Sequence, residues 1–494
     1  MRRGVGFNRS AVVGIIALLL AAAALRSSHV VVRSVSHPEM YVPGIPLPAG
    51  LSDPYPRHDL RRVITDTIAL DTHPPGYYVL MWAVTKCFGA GVWAMRLPSV
   101  AFGVASVGML VWLGALAGAP AAGWIAGALL AFNGYHAFWS GIARMYAMAS
   151  FLALASTVVL LLAVRSDRRR PRLSALYVVL AMAGVATHVY FWTILATHML
   201  WVLVNARGNR RVFRMLILAL LLGLPALAVS VYQSRNPVAT LHADVIGYGR
   251  HLVEFAFLLP GVTPADTAGP GLAGHGIGFL GHPVARAVFL LLSLGCLAAG
   301  WRSLRGLDGG ILATLLAVGP FLMLALFSVL FRPLLVARGL LVVAPFVLLV
   351  LGAGIASLGR RWPAALAMGA VLVVVHTASV ITFADHTVDP LDHRRFTTEL
   401  AAAAGPEDLI FFRPGWDTTP ILYYLRADRY HLVGRDFAGA IRGRSPARVW
   451  KLAFYDNVTD VEREMDRALG GYRETRRIEI PHGQAVLHER IGAK

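Results

Sequence analysis

The chain has 494 residues, of which 56% are hydrophobic and only 15% charged. With a mean hydropathy of +0.60 it is too apolar for a soluble enzyme, and apolar runs of membrane-spanning length recur from end to end. In a soluble protein the formal net charge of +19 would suggest nucleic acid, but here the arginines gather in short clusters between apolar spans, which is the positive-inside pattern of a membrane protein and leaves no soluble face for a nucleic acid.

Arg2, Arg3 and Arg9 precede an apolar run over 11–25, read as an uncleaved first span. A signal peptide cut after Ala22-Ala23-Ala24 would equally leave residue 30 onward outside the cytoplasm. Eleven spans are predicted in all: 10–25, 97–116, 121–139, 147–164, 173–189, 191–206, 213–232, 284–301, 311–331, 338–357 and 363–383. With the N-terminus inside, the inner loops carry the clusters around Arg165–Arg172, Arg207–Arg214, Arg302/Arg305 and Arg360/Arg361. The short outer loops carry only Arg144, Arg332 and Arg338.

Residues 74–90 are apolar but too short to span, and counting them would invert every later loop. They are predicted as a helix lying at the outer interface, with Tyr77, Tyr78 and Trp82 at headgroup depth and Pro74 and Pro75 setting its start. Two long outer loops follow from this threading, 26–96 and 233–283, and long loops on a membrane scaffold often carry function. Cys87 and Cys296 are read as small buried hydrophobes in apolar segments, with neither a disulfide nor a metal spacing.

After residue 383 the composition turns charged and contains no span. The pattern predicts helix 393–404, strand 408–413, helix 417–426, strand 429–433, strand 449–455, helix 458–469 and strands 473–480 and 484–490. The expected fold is thus an α-helical polytopic membrane protein, with about eleven transmembrane helices and an outer interfacial helix over 1–383. A small extracytoplasmic α/β domain over 384–494 completes it.

Arg144 is the only formally charged residue between Arg96 and Arg165, held at a span boundary. A guanidinium is costly in hydrocarbon, so it either snorkels to the interface or grips an anion in a wet cavity. Arg338 poses the same choice on the same predicted face.

The ordered series of local motifs resembles bacterial GT-C glycosyltransferases of the protein O-mannosyltransferase and aminoarabinose transferase branch. It comprises Asp71-Thr72-His73-Pro74-Pro75-Gly76-Tyr77-Tyr78, Phe88-Gly89, Arg96-Leu97-Pro98-Ser99, Ala143-Arg144-Met145-Tyr146-Ala147, Thr187-His188-Val189-Tyr190, Ala337-Arg338-Gly339-Leu340-Leu341 and Asp392-His393-Arg394. The resemblance implies transfer of a sugar from a polyprenyl-phosphate donor to a protein, lipid or glycan acceptor on the outer face of the cytoplasmic membrane, with inversion. Where the family usually has Asp-Glu after the first span, this chain has Pro38-Glu39; where it often has Gln-Glu before Ala-Arg-Met-Tyr, this chain has Gly141-Ile142.

Such a reaction needs a base for the acceptor hydroxyl, cations for the departing phosphate and an apolar groove for the prenyl tail. Glu39, in the position the family gives to its acid, is the first candidate base; it could equally cap a helix. Asp71 is the second, with an N-cap as its alternative role. Arg144 and Arg338 are assigned to the leaving phosphate, because a guanidinium makes two charge-assisted bonds to phosphate oxygens. Tyr146 and His73 are placed on the same phosphate side, and His188 is a donor contact or a membrane histidine bonded to a carbonyl. No metal site and no cofactor are expected; the partners are the lipid-linked donor, its acceptor and the bilayer. Two other classes stay open: a non-catalytic member that binds lipid-linked sugar or scaffolds the envelope, and a transporter of a lipid-linked substrate. The transporter would carry charges in mid-span and internal repeats, and neither is visible.

Overall fold

The computed structural model describes residues 8–28, 30, 33–48, 50–52, 57–166, 170–206, 208–235, 283–331, 334–335, 337–359, 392–415, 418–425, 429–454, 460–480 and 483–492. The predicted last span, 363–383, most of the second long loop and Arg332 lie outside these residues.

Helix α1 (Arg9–Ser27) starts on the Asn8 side chain, which accepts from Ala11 N. A 3-10 turn (His37–Tyr41), α2 (Leu60–Leu70) and α3 (Gly76–Phe88) follow in the first loop. Then come α4 (Val92–Leu116), α5 (Pro120–Ala131), α6 (Gly134–Ser140), α7 (Tyr146–Arg165), α8 (Pro171–Thr187), α9 (Phe191–Asn205), α10 (Arg210–Gln233), α11 (Pro283–Leu304) and α12 (Asp308–Leu330). A second 3-10 turn (Ala337–Val342) leads into α13 (Ala344–Gly359). Among the described residues five helices, α1, α4, α7, α10 and α12, are long and apolar enough to cross a membrane, and five shorter apolar helices pack among them. The protein is a polytopic helical membrane protein.

Small residues let the helices approach. A Cβ on Gly114 of α4 would lie 2.2 Å from the Gly123 Cα of α5, and one on Gly354 of α13 would lie 1.9 Å from the Cys296 carbonyl oxygen of α11. Backbone contact of this kind drives helix association where lipid is as apolar as the side chains. The two ends of the bundle differ in charge. One end gathers Arg165, Arg170, Arg172, Arg210, Arg211, Arg214, Arg302 and Arg305, with Arg211 bonded to the Ser166 carbonyl across the α7–α10 gap. The other end carries α2, α3 and the loops before α7, α9 and α13.

The chain departs from the sequence expectation at three points. The span expected over 121–139 breaks at Phe132, and Asn133 caps a new short helix by accepting from His136 N. In α3, Tyr77 and Tyr78 are fully buried and face the protein, because their hydroxyls find partners there; only Trp82 is half-exposed. Cys87 is exposed on the last turn of α3, whereas Cys296 is buried as expected.

The C-terminal segment forms α14 (His393–Ala403), β1 (Leu409–Phe411), α15 (Thr419–Tyr424), β2 (His431–Val433), α16 (Phe437–Arg444), β3 (Arg448–Phe454), α17 (Asp460–Ala468), β4 (Tyr472–Ile480) and β5 (Gly483–Arg490). All elements except α16 match the pattern read from sequence. The strands make one mixed sheet, ordered β2-β1-β3-β5-β4, with β1 parallel to both neighbours and β5 antiparallel to β3 and β4. The period-2 alternation sorts its faces: Leu409, Phe411 and Val449 pack with Phe437 and Met465, while Ile410, Trp450, Leu452 and Phe454 face the other way. That second face shares one core with Val35, Met40, Tyr77 and Tyr146. Polar contacts fasten it: Val35 N donates to Tyr424 Oη at 2.7 Å, Ser34 Oγ donates to Asp392 Oδ1 at 2.9 Å, and Tyr423 Oη donates to the Ala90 carbonyl at 3.0 Å.

Candidate functional site

The turn between α2 and α3 is built around one carboxylate. Asp71 is 8% exposed and accepts from Thr72 N at 2.7 Å and His73 N at 3.1 Å, with His73 Nδ1 also at 3.1 Å. Tyr78, in the first turn of α3, stands beside it. Gln233, the last residue of α10, donates to the carbonyls of Thr67 (2.9 Å) and His73 (2.8 Å) and so pins this turn to the bundle. Burial alone would raise the Asp71 carboxyl, but the His73 bond and charge, with Arg144 and Arg57, hold it well below the usual carboxylate range.

Arg144 sits in the loop between α6 and α7, 7% exposed. Its Nη1 donates to the Pro38 carbonyl at 3.1 Å and to Tyr78 Oη at 2.9 Å, and Tyr146 lies beside it. Arg144 thus holds Tyr78, which stands next to the Asp71–His73 pair. Arg96 and Ser99, one helical turn apart on α4, hold this loop in place. Ser99 Oγ donates to the Arg144 carbonyl at 3.1 Å, and Arg96 grips Glu39, whose Oε1 accepts from Ala143 N at 2.9 Å.

Glu39 has no exposed surface. Its oxygens accept from Arg96 Nε and Nη2, both at 2.7 Å, from Ala143 N, and from Ser36 N and Oγ at 3.0 and 3.1 Å. It closes a capping box on the 3-10 turn, which was the alternative role open to it in sequence. Burial raises its pKa, yet the Arg96 charge and these bonds leave it lowered overall.

The remaining sequence candidates meet at His73. The His73 ring centroid lies 5.7 Å from that of His188 and 6.4 Å from that of Tyr146, and Tyr146 lies 5.7 Å from His188. His188 accepts at Nδ1 from Tyr190 N (3.2 Å), which fixes the hydrogen on Nε2. Arg338, half-buried in the second 3-10 turn, makes no hydrogen bond with a described residue. Burial above all lowers both imidazoles; Arg144 and Arg338 add to this at both rings and His73 adds to it at His188, while the Asp71 bond and charge oppose it at His73, and both rings are neutral near pH 7. Asp71, His73, Arg144, Tyr146, His188 and Arg338 thus gather at one place, while Glu39 stands behind Arg144 as its support.

One functional side chain had no signal in the sequence. Arg57 is 4% exposed, lies over the Tyr78 ring at 5.3 Å and acts on Asp71. It stands in a polar loop among other arginines, with no apolar span on either side to mark it out. The site therefore sets three guanidiniums, Arg57, Arg144 and Arg338, against the single carboxylate of Asp71, an excess of two positive charges. Such a cluster favours an anion of one or two negative charges. Among the described residues no group of His, Cys, Asp and Glu could hold a metal ion.

Fold and site define a polytopic membrane protein with a buried, positively charged cluster at one end of its bundle. The particular fold is one already seen among solved structures. It is similar to the crystal structure of ArnT from Cupriavidus metallidurans bound to undecaprenyl phosphate, with a TM-score of 0.59, 12% identity, and coverage of 96% of this chain and 97% of that one. The apo state of the same protein matches at 0.59 over 97% and 98%. The arabinofuranosyltransferase AftD from Mycobacteria matches at 0.52 and 14% identity, over 97% of this chain but 40% of that one. No protein-family model matches the chain, and no curated protein matches it by sequence. At these identities the likeness is one of fold.

Proposed function

We propose that the protein is a glycosyltransferase that moves a sugar from a polyprenyl-phosphate donor to a protein, lipid or glycan acceptor on the outer face of the cytoplasmic membrane, with inversion. The observation that carries this reading is the convergence of Arg144 and Arg338 on His73 and His188 in a site with two positive charges in excess. The outer-face location follows from the arginine clusters at the opposite end of the bundle, which mark the cytoplasmic side.

In this reading the donor phosphate lies between Arg144 and Arg338, each worth about 1.5–3 kcal/mol as a bond to a charged group. Tyr146 and the Nε2–H of His188 complete the phosphate side. The prenyl tail leaves toward the bilayer; an apolar trough on α10, lined by Leu224, Leu227, Ala228 and Val231 and ending at Arg235, opens there. The acceptor hydroxyl attacks the anomeric carbon from the face opposite the phosphate and gives its proton to the Asp71–His73 pair. Glu39 takes no part in that transfer, since its lone pairs are taken and Arg96 stabilises its charge; its role is to position Ala143 and Arg144. The C-terminal sheet braces the first loop, through which it supports Glu39.

Mass spectrometry of cell-envelope glycans and lipids, in cells with and without the protein, tests the proposal. A sugar-bearing species should vanish without it, return with the wild-type gene, and fail to return with Arg144→Gln. An unchanged envelope would sink the enzyme reading and favour a non-catalytic binding protein.

A further inference from the structure

The carboxylate and the imidazole of the site are not equivalent candidates for the acceptor's proton. Ionised Asp71 has only lone pairs to offer, so His73 Nδ1, 3.1 Å from Asp71 Oδ1, carries the hydrogen, and Nε2 keeps its lone pair. Thr72 Oγ1 lies 3.1 Å from the same Nδ1. No described residue hydrogen-bonds Nε2, and the side chain keeps 15% exposure. Asp71 Oδ1, by contrast, already accepts from Thr72 N, His73 N and His73 Nδ1.

Resting on the glycosyltransferase reading above, we propose that Nε2 of His73 is the group that takes the acceptor's proton, that Asp71 orients the ring and stabilises the imidazolium, and that phosphate bound between Arg144 and Arg338 switches the ring's basicity on. In the step, the hydroxyl oxygen bonds to the anomeric carbon as the bond from that carbon to the phosphate oxygen breaks. The electron pair of the broken bond leaves with the polyprenyl phosphate as a monoester. The hydroxyl proton moves to Nε2 and returns to water when the product departs.

The switch comes from the groups that face His73. Asp71 stands on its own turn, Arg144 comes from the α6–α7 loop, Tyr146 from the start of α7, His188 from the α8–α9 turn and Arg338 from the second 3-10 turn. From α10 only the uncharged amide of Gln233 arrives, and it bonds the backbone. Burial and the two guanidiniums disfavour a positive ring, against the pull of Asp71. An anion between the guanidiniums cancels their field and leaves Asp71 as the near charge. The base thus strengthens toward the range useful near neutral pH only when a donor is present.

The test uses the full chain in lipid nanodiscs and undecaprenyl methyl phosphate, a diester whose single charge does not titrate near neutrality. By linkage, a ring pKa raised on binding makes the diester bind more tightly at pH 5 than at pH 8, by up to about tenfold for each unit of the rise. The wild type should show that slope, His188→Gln should keep it and His73→Gln should lose it. At pH 8, His73→Gln should bind within about threefold of wild type, while the envelope product it forms falls about 100-fold or more. A flat wild-type profile, a slope that disappears with His188→Gln, or full product from His73→Gln each overturns the inference. So does a loss of affinity at pH 8 that matches the loss of product, because His73 would then be a phosphate ligand. Absence of diester binding at every pH would instead overturn the phosphate site itself, and with it the reading on which the inference rests.

Discussion

Glu39 and Arg96 close on each other as a two-point ion pair, Oε1 to Nε and Oε2 to Nη2 both at 2.7 Å, with neither side chain more than 1% exposed. Breaking such a pair leaves one buried charge uncompensated, at a cost of about 3–5 kcal/mol, whereas replacing both partners with apolar groups costs much less. Glu39→Gln should therefore lower the thermal unfolding midpoint together with donor binding, because Ala143 and Arg144 lose their anchor. The double variant Glu39→Leu/Arg96→Met should recover a large part of the midpoint. Thermal unfolding of the purified protein in nanodiscs checks this. A Glu39→Gln chain with an unchanged midpoint and no transfer would restore Glu39 as the base.

Arg144 and Arg338 should separate by what holds them. Arg144 is fixed by Pro38 and Tyr78, whereas Arg338 makes no hydrogen bond with a described residue. Losing either guanidinium removes about 1.5–3 kcal/mol, so Arg144→Gln or Arg338→Gln should weaken polyprenyl-phosphate binding about 10- to 150-fold. Only Arg144→Gln should also lower stability, since it removes the donor to the buried Tyr78 hydroxyl and the Pro38 carbonyl. Binding isotherms and melting curves on the same preparations decide the matter.

Much of this site was legible because its residues stand where polarity interrupts an apolar pattern. Arg144, His188 and Arg338 each break a run long enough to span, and Asp71 and His73 precede the short helix α3; the fold brings all of them to His73. The pairing of Glu39 with Arg96 was not legible. It joins residues far apart in the chain, and neither periodicity nor spacing records a partner at such a distance. For the same reason Glu39 read as an available acid, and Tyr77 and Tyr78 as headgroup aromatics. Their hydroxyls turn inward because Ser99 of α4 and Arg144 of the α6–α7 loop arrive to meet them. Arg26, buried in the last turn of α1, was equally hidden; it donates to the Leu130 and Ala131 carbonyls that end α5.

Binding and transfer should survive a chelator. Asp71 Oδ1 already accepts three bonds from Thr72 and His73, and the charges of Arg57, Arg144 and Arg338 oppose a divalent ion beside it. Hard cations require free carboxylate or carbonyl oxygens. Undecaprenyl-phosphate affinity measured with and without EDTA should agree within about twofold. A larger loss, restored by one divalent metal, would show that the arginines do not carry the phosphate alone.

Acid should loosen the junction between the first loop and the C-terminal sheet. His37 and His393 lie there, and burial pushes each imidazole down to about 4, with the Arg144 charge adding to the effect at His37. Their unfolded value is near 6.5, so the unfolded chain binds protons that the folded chain refuses between those limits. Stability from these neutral rings is complete above pH 6.5 and is lost as pH falls toward 4, at up to about 1.4 kcal/mol per unit for each ring. Unfolding midpoints across pH 4–8 should show this decline, and His393→Gln should flatten it.

Gly339 follows Arg338 in the second 3-10 turn, and the Tyr190 ring fills the place where its side chain would be. A Cβ there would sit 2.2 Å from a ring carbon, closer than any real contact allows. Tyr190 cannot yield freely, since its hydroxyl bonds the Leu334 carbonyl and its amide holds His188 Nδ1. Gly339→Ala must therefore move either Arg338 or the Tyr190–His188 turn, both of which face the anion centre. A shift of this size in a preorganised site weakens it without removing any of its charges. The expected result is a drop in polyprenyl-phosphate affinity approaching that of Arg338→Gln. Tyr190→Ala in the Gly339→Ala background should recover part of it by making room for the methyl group. Wild-type affinity for Gly339→Ala would mean that the turn carrying Arg338 is not held against Tyr190.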